Sequence, residues 1–243
     1  MAYLRPGGAA LTDRGLQLAG LRAGSRILDV GCGEGDTVAY LNEEKGMAAE
    51  GIDMNLQRIA AAKALHPGAD VKFGDGEFLD SYMSFTFDGI LMESSLSQIN
   101  IPEEALHEAW CVMKKGGKLV ISDLYEKDPD PQQVRAVRIE AARQGKMPHQ
   151  EGDCEDRGLK FVDFRFAGAF YRQPLLRQLE EIGFQLIAWE DRTEDLEEFL
   201  EATKAEGKDR DETLQTLSRE LDPEAGGCHR KIGYFLLAAA KPL

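Results

Sequence analysis

Three glycines at alternate positions near residue 31 have the spacing of a ligand-binding turn. The largely apolar residues 27–30 are followed by glycine at three alternate positions, Gly31, Gly33 and Gly35. Because glycine has no Cβ, the backbone of such a turn can adopt positive φ and a ligand can lie against it. A helix predicted to begin near Asp36 directs its first amides and its dipole towards the same point, which favours a negatively charged group. The turn is therefore predicted to bind a small molecule.

The spacing of these glycines distinguishes two classes of cofactor. The dinucleotide pattern G-x-G-x-x-G, counted from Gly31, would place its last glycine where the chain has Asp36. A pyrophosphate would then meet a carboxylate, which disfavours a nicotinamide-dependent oxidoreductase and keeps it as an alternative. Asp29, at the end of the preceding strand, can instead accept a hydrogen bond from an ammonium group while the helix start receives a carboxylate. The turn therefore favours a ligand with an amino-acid moiety.

A second carboxylate points to adenosine. Asp53 follows the predicted second strand and lies 22 residues after Gly31 (53 − 31). This is near the offset of ~20 residues at which an acid after the second strand reaches the two ribose hydroxyls. Asp53 could otherwise cap the next helix, but Asn55 is better placed for that role.

Hydrophobic periodicity predicts an α/β fold. Strands and helices alternate without a gap from residue 23 to residue 123, which is typical of a parallel sheet. We expect a Rossmann-like, mostly parallel sheet of seven strands with helices on both faces. The predicted strands are 27–30, 48–52, 69–73, 87–92, 118–123, 184–189 and 234–240. Inserts at about 124–170 and 192–227 follow strands five and six, and we expect a single domain, 1–243, in which these inserts cover the substrate.

The composition of the chain disfavours several classes of function. The net charge of −14 would repel a phosphate backbone, so a nucleic-acid partner is not expected. Neither an apolar run of ~18 residues nor a signal-peptide pattern is present, which predicts a cytoplasmic protein without membrane insertion. The four cysteines form no C-x-x-C pattern and suit free thiols; they are Cys32, Cys111, Cys154 and Cys228.

Taken together, several motifs resemble those of class I S-adenosylmethionine (SAM) dependent methyltransferases. The most similar group is the small-molecule type that includes ubiquinone/menaquinone, sterol and arsenite methyltransferases. The motifs that carry the resemblance are 29–35, 52–53, 74–75, 87–93, 116–117 and 181–184. It implies SAM as the cofactor and S-adenosylhomocysteine as the product.

The resemblance also assigns roles to residues. Asp29, Gly31 and Gly33 would hold the methionine end of the cofactor, and Glu93 would orient its amine or cap the strand end. All residues expected to contact the cofactor are Asp29, Gly31, Cys32, Gly33, Asp53, Met54, Asp75, Gly76 and Glu93. No metal site is predicted.

The sequence says less about the residues that bind the methyl acceptor. Displacement at a sulfonium depends chiefly on in-line positioning, so no catalytic triad is required. The acceptor is expected above Glu93 and Asp123, beyond the carboxyl ends of their strands. Candidate catalytic residues are Tyr3, His149 and Tyr171.

Two alternatives stay open at this point. Cys154 and Cys228 lie in the two inserts and could bind a soft metalloid such as trivalent arsenic. A non-catalytic SAM-binding module is the other alternative. The sequence predicts neither the acceptor nor the oligomeric state.

Overall fold

Nine strands form one sheet in the computed structural model, which describes residues 5–132, 134–135, 164–225 and 230–243. The strands are β1 (Arg26–Val30), β2 (Ala48–Asp53), β3 (Asp70–Phe73), β4 (Phe87–Glu93), β5 (Met113–Glu126), β6 (Arg165–Phe166), β7 (Ala169–Tyr171), β8 (Gln185–Asp191) and β9 (Ile232–Ala240). The helices are α1 (Gly8–Ala19), α2 (Asp36–Glu43), α3 (Leu56–Leu65), α4 (Pro102–Val112), α5 (Arg172–Ile182), α6 (Thr193–Ala205) and α7 (Arg210–Leu217), with a 3₁₀ turn at Leu96–Gln98.

The sheet reverses its strand order beside β1. Neighbouring strands follow the order β3-β2-β1-β4-β5, and all of these pairs are parallel. β9 pairs antiparallel with both β5 and β8. Because β1 is flanked by β2 on one side and by β4 on the other, its carboxyl end opens a crevice of the kind in which such sheets bind ligands.

The predicted α/β class is confirmed, but the predicted number of seven strands is wrong. The two additional strands, β6 and β7, are two and three residues long and form an antiparallel hairpin within the first predicted insert. Strands this short are not detectable as an alternating pattern. The hairpin is held by burial of Phe164 and Phe170, whose rings stack with centroids 5.8 Å apart.

Helices cover both faces of the sheet, as predicted. One apolar cluster includes Leu28 together with Leu106 of α4, and the other includes Ile27 together with Val38 of α2. Adjacent residues of β1 therefore contribute to opposite clusters, which is the alternation expected of a strand.

Local signals fix the helices that border the crevice. The side chain of Asn55 accepts hydrogen bonds from the amides of Gln57 and Arg58 and so caps α3, as the sequence predicts. Glu77 accepts hydrogen bonds from the amides of Asn100 and Ile101 just before α4. The Asn55 cap gives α3 a defined starting point, and Glu77 fixes the chain just before α4.

The second predicted insert contains α6 and α7, which pack on the sheet through Leu196, Leu214 and Leu217. Of the first, residues 136–163 lie outside the described part of the chain. That both inserts cover a substrate stays a prediction. Within the described ranges, no helix combines the length and the apolar character that crossing a bilayer requires.

Candidate functional site

Two adjoining cavities open at the carboxyl ends of β1, β2 and β4. The larger has a volume of about 610 Å³ and the smaller about 100 Å³. Gly31, Arg58, Ser94 and Gln98 line both of them. These four residues therefore mark the junction between the two cavities.

The glycine turn forms the floor of both cavities. Gly31 has φ of 79°, and its amide donates a hydrogen bond to the carbonyl of Ile52 over 2.8 Å. A Cβ at Gly31 would lie 2.4 Å from the Cβ of Ser95. Both the positive φ and the close approach to Ser95 therefore require glycine at this position.

Asp29 places a buried carboxylate in the wall of the smaller cavity. Asp29 is only 3% exposed, and its carboxylate has no hydrogen-bond partner among the described residues. Burial, followed by the negative charge of Glu93, raises the pKa of Asp29 to about 8. A buried carboxylate without a donor is costly, so Asp29 is arranged to receive a cationic donor from the cavity.

Glu93 lies in the same wall and is bound by three side chains. Nη2 of Arg5 is 2.8 Å from its Oε2, and the hydroxyls of Thr12 and Thr37 donate hydrogen bonds of 3.0 and 3.2 Å to its carboxylate. Arg5 precedes α1, Thr12 lies in α1 and Thr37 lies in α2. Glu93 thus ties the segment before α1 to the end of β4.

Asp53 joins the end of β2 to the glycine turn. Its Oδ2 accepts a hydrogen bond from the amide of Gly33 over 2.9 Å, and its Oδ1 accepts one from the amide of Asn55 over 2.7 Å. An ionised carboxylate has about four lone-pair directions. Asp53 can therefore hold the turn and still accept hydrogen bonds from a ligand in the larger cavity, which it lines.

The opposite wall of the larger cavity follows β3. Asp75 accepts a hydrogen bond from the amide of Glu77 over 3.0 Å, which holds the loop after β3 in a tight turn. A Cβ at Gly76 would lie 2.7 Å from Cγ1 of Val30, so the loop packs directly on β1. Met54 is 54% exposed and lines the same cavity. This part of the cavity combines a hydrogen-bond acceptor, Asp75, with an apolar side chain, Met54.

Ser94 has a strained backbone at the junction of the cavities. Its φ of 53° lies in the left-handed region. Its amide donates to the carbonyl of Ser122 over 2.7 Å, and its carbonyl accepts a hydrogen bond from Nε2 of Gln98 over 3.0 Å. Its hydroxyl is hydrogen-bonded to the buried hydroxyl of Tyr234. Such strain at the meeting point of two cavities is typical of a functional residue.

All nine residues predicted to contact a cofactor line one cavity or the other. Their contact with a cofactor stays a prediction. Tyr171 is 1% exposed in β7 and does not line either cavity. Tyr3, His149, Cys154 and Cys228 lie outside the described residues.

Asp123 lies away from both cavities. Its carboxylate is completely buried and accepts hydrogen bonds from the amides of Ser97 and Leu124, each over 2.8 Å. Burial raises its pKa to about 6. In this structure Asp123 supports the 3₁₀ turn after β4, whereas Glu93 faces the smaller cavity.

Sequence reasoning did not single out several lining residues. Ser94 and Gln98 belong to the polar segment directly after β4, and their position after a strand was an available signal. Arg219 follows α7 and reaches the larger cavity from the second insert. Tertiary packing alone brings it there. Among the described residues, no group of three or more His, Cys, Asp or Glu side chains could hold a metal ion.

Relatives of known activity resemble this chain over most of its length. Phosphoethanolamine N-methyltransferase 1 of Triticum aestivum is 26% identical over 202 residues, or 82% of this chain and 36% of that protein. The chain spans 36% to 43% of the length of five such curated enzymes. The resemblance to small-molecule SAM-dependent methyltransferases is thereby confirmed.

Solved structures show the same fold. Phosphoethanolamine N-methyltransferase 2 of Haemonchus contortus, with phosphomonomethylethanolamine and S-adenosylhomocysteine, has a TM-score of 0.67 at 16% identity, covering 99% of this chain and 55% of that chain. The [4+2]-cyclase SpnF has a TM-score of 0.65 at 24% identity, covering 96% and 81%.

One protein-family model matches the part of the chain that contains β1 to β5. It is described as methionine biosynthesis protein MetW and matches residues 13–152, which include the glycine turn, Asp53, Asp75 and Glu93. Because this match extends over more than half of the chain, the protein belongs to the MetW family.

Proposed function

We propose that this protein transfers a methyl group from SAM to a small-molecule acceptor. The observation that carries the proposal is Asp29, a buried carboxylate without a hydrogen-bond donor, facing a small cavity that adjoins a larger one. A cofactor with an amino acid at one end and a nucleoside at the other matches two cavities of unequal size joined at a glycine turn. The methyltransferase relatives support the same reading.

Each wall has a role in this proposal. Asp29 and Glu93 bind the ammonium group of the cofactor in the smaller cavity. Asp53 accepts hydrogen bonds from the ribose hydroxyls, and Asp75 accepts one from the adenine amino group. Met54 packs against the adenine ring. When bound, SAM supplies a methyl group on a positively charged sulfonium.

The junction is the proposed position of methyl transfer. Ser94 and Gln98 line both cavities and are held to each other by a hydrogen bond. They orient the acceptor so that its nucleophilic atom lies in line, which can supply much of the rate acceleration. A general base is useful only where the acceptor has a proton with a high pKa.

The charges around the larger cavity favour an acceptor with an anionic group. Its carboxylates all accept hydrogen bonds from backbone amides; they are Asp53, Asp75 and Glu77. Arg58 and Arg219 line the same cavity, and their side chains form no hydrogen bond or ion pair with another described residue. A phosphate or carboxylate is the group that such guanidinium side chains bind best. Phosphoethanolamine, named in the relatives, is an acceptor of this chemical type.

Calorimetric titration tests the cofactor. Wild-type protein should bind SAM and S-adenosylhomocysteine, and Asp29→Asn should weaken binding about 10- to 100-fold because a charge-assisted hydrogen bond is lost. Asp80→Asn changes an exposed acid outside both cavities and should bind normally. Failure of the wild-type protein to bind either ligand would exclude the proposal.

Methyl transfer needs its own measurement. SAM with an isotopically labelled methyl group, incubated with a metabolite extract, should give a labelled small molecule that depends on the protein. Binding of SAM without any labelled product would instead support the non-catalytic module.

A further inference from the structure

We propose that Arg165 is a positioning residue, which holds Arg219 at the larger cavity through the β6–β7 hairpin and so sets the affinity for an anionic acceptor. The inference rests on the proposed function, in which Arg219 faces the anionic group of the acceptor. It adds a residue that lines neither cavity and that lies beyond the region matched by the family model.

Arg165 anchors the hairpin to a wall of the larger cavity. Its Nη1 donates hydrogen bonds to the carbonyls of Ser97 and Ile99 over 2.8 and 2.5 Å, and its Nη2 donates to the carbonyl of Asn100 over 3.2 Å. The side chain is only 13% exposed. Ile99 and Asn100 line the larger cavity. Because one planar guanidinium spans three carbonyls, the first strand of the hairpin and this wall are held in a fixed relation.

Two other elements also hold this wall. The amides of Asn100 and Ile101 both donate to Oε1 of Glu77, in the loop after β3. The amide of Ser97 donates to the buried carboxylate of Asp123 in β5. Loss of the arginine should therefore free the hairpin more than it frees the wall of the cavity.

The turn of the hairpin supports the segment that contains Arg219. A Cβ at Gly168, where φ is 77°, would lie 2.6 Å from the Cα of Leu221, so the two backbones are in direct contact. The amide of Asp222 donates to the carbonyl of Ala167 over 3.4 Å. Ala167 has φ of 39°, which residues other than glycine rarely adopt. Arg219, two residues before Leu221, therefore takes its position from the hairpin.

A direct contact links Arg165 with the residue next to Arg219. Nη2 of Arg165 lies 3.6 Å from Oε2 of Glu220, whose side chain is 62% exposed. An ion pair this exposed contributes little to stability. The carboxylate of Glu220 is nevertheless paired with Arg165, whereas Arg219 forms no ion pair with a described residue. The guanidinium of Arg219 thus stays available for a ligand.

The test measures cofactor and acceptor binding separately. S-adenosylhomocysteine is titrated into each protein, and phosphoethanolamine is then titrated into the saturated complex. Arg165→Gln should weaken phosphoethanolamine binding about 5- to 10-fold, because Arg219 loses its fixed position. Affinity for S-adenosylhomocysteine should stay within about twofold of the wild type, since Glu77 and Asp123 still hold the wall. Arg165→Lys keeps the charge without the planar fork and should give an intermediate affinity for phosphoethanolamine.

A double-variant cycle shows whether Arg165 acts through Arg219. In the Arg219→Gln background, Arg165→Gln should weaken phosphoethanolamine binding by no more than about twofold, because the side chain that it positions is already gone. A merely structural role for Arg165 would give the same loss in both backgrounds. Gly168→Ala should reproduce the selective loss, because its Cβ would displace Leu221.

Controls separate a local effect from unfolding. Arg177→Gln changes an exposed arginine of α5 outside both cavities and should bind both ligands as the wild type does. Should Arg165→Gln fail to fold, Arg165→Lys and Gly168→Ala carry the same comparison.

Three results would overturn the role of Arg165: equal weakening of both ligands, no weakening of phosphoethanolamine, or additive losses in the double variant. A wild-type complex with S-adenosylhomocysteine that bound neither phosphoethanolamine nor inorganic phosphate would overturn it as well, while methyl transfer from SAM would stand. If the wild-type protein bound neither SAM nor S-adenosylhomocysteine, the proposed function itself would fail.

Discussion

The hydroxyl oxygens of Ser94 and Tyr234 lie 2.5 Å apart, although the two residues are separated by 140 positions in the chain. Tyr234 is in β9 and is completely buried, and its hydroxyl also donates to Oγ of Ser122 over 3.2 Å. Burial raises the pKa of Tyr234 well above its usual value, so its hydroxyl stays protonated and available as a donor. The last strand of the sheet therefore holds the strained residue at the junction of the two cavities.

Tyr234→Phe should disturb methyl transfer more than cofactor binding. It removes a hydroxyl to which Ser94 is bonded and should lower the free energy of unfolding by about 1–2 kcal/mol. The resulting freedom of Ser94 should lower kcat, since small misplacements at a reacting centre are costly. S-adenosylhomocysteine affinity should stay within about threefold of the wild type. Tyr40→Phe, which removes a hydrogen bond to Asp13 outside the cavities, is the matched control and should leave kcat unchanged.

Asp53→Asn should weaken binding of the nucleoside end. An amide has one oxygen and one NH₂ group, so it cannot accept from the amides of Gly33 and Asn55 with opposite ends as the carboxylate does. We expect about 10- to 100-fold weaker binding of 5′-methylthioadenosine. Asp29→Asn should leave this ligand nearly unaffected, because methylthioadenosine has no ammonium group. A normal affinity of Asp53→Asn for methylthioadenosine would contradict the role proposed for Asp53.

Patterns of neighbouring residues predicted the parts of the site that depend on local backbone geometry. The turn after β1 requires glycine at position 31, and Asp53 is the last residue of β2, so both could be recognised from the sequence around them. Arg219 could not be, since only tertiary packing brings it to the larger cavity. The predicted fifth strand ends at Asp123, but β5 continues to Glu126, and the carboxylate of Asp123 accepts a hydrogen bond from the amide of Ser97 and lines neither cavity.

The raised pKa of Asp29 predicts that cofactor binding depends on pH. With a pKa of about 8, the carboxyl is largely protonated at neutral pH, and binding of an ammonium group must release its proton. Affinity for S-adenosylhomocysteine should rise up to about tenfold per pH unit from about pH 6 and level off above about pH 8, where Asp29 is already ionised in the free protein. Titration in buffers of different ionisation enthalpy should show proton release, and Asp29→Asn should abolish it.

The raised pKa of Asp29 also predicts how the free energy of unfolding changes with pH. The folded pKa of Asp29 lies above its ordinary value of 3.8, so the folded state binds this proton more tightly than the unfolded state does. Its contribution to the free energy of unfolding is therefore fully present below about pH 4 and is lost as the pH rises to about 8. Denaturant unfolding at several pH values should show a weaker decrease for Asp29→Asn than for the wild type. An equal decrease in both proteins would contradict the assignment to Asp29.

A buried ion pair joins the end of β5 to the chain beyond the second insert. Nε of Arg230 lies 2.9 Å from Oε2 of Glu126, with the two side chains 0% and 3% exposed. Glu126→Gln leaves the arginine charge buried and should lower the free energy of unfolding by about 3–5 kcal/mol. Asp128→Asn breaks the neighbouring pair with Lys231, in which both side chains are at least 70% exposed, and should cost about 0–1 kcal/mol. Similar losses for the two variants in denaturant unfolding would contradict this difference.

Arg219→Gln should act on the acceptor and leave cofactor binding intact. Arg219 lines the larger cavity without an ion-pair partner among the described residues, so the variant removes a positive charge without exposing a buried carboxylate. With phosphoethanolamine as the trial acceptor, KM should rise about 10-fold or more, since a hydrogen bond to a charged group is lost. Binding of S-adenosylhomocysteine should stay as in the wild type. Arg177→Gln, on α5 and outside both cavities, is the matched control. If ethanolamine, which lacks the phosphate, were methylated as efficiently as phosphoethanolamine by both the wild type and Arg219→Gln, the preference for an anionic acceptor would be refuted.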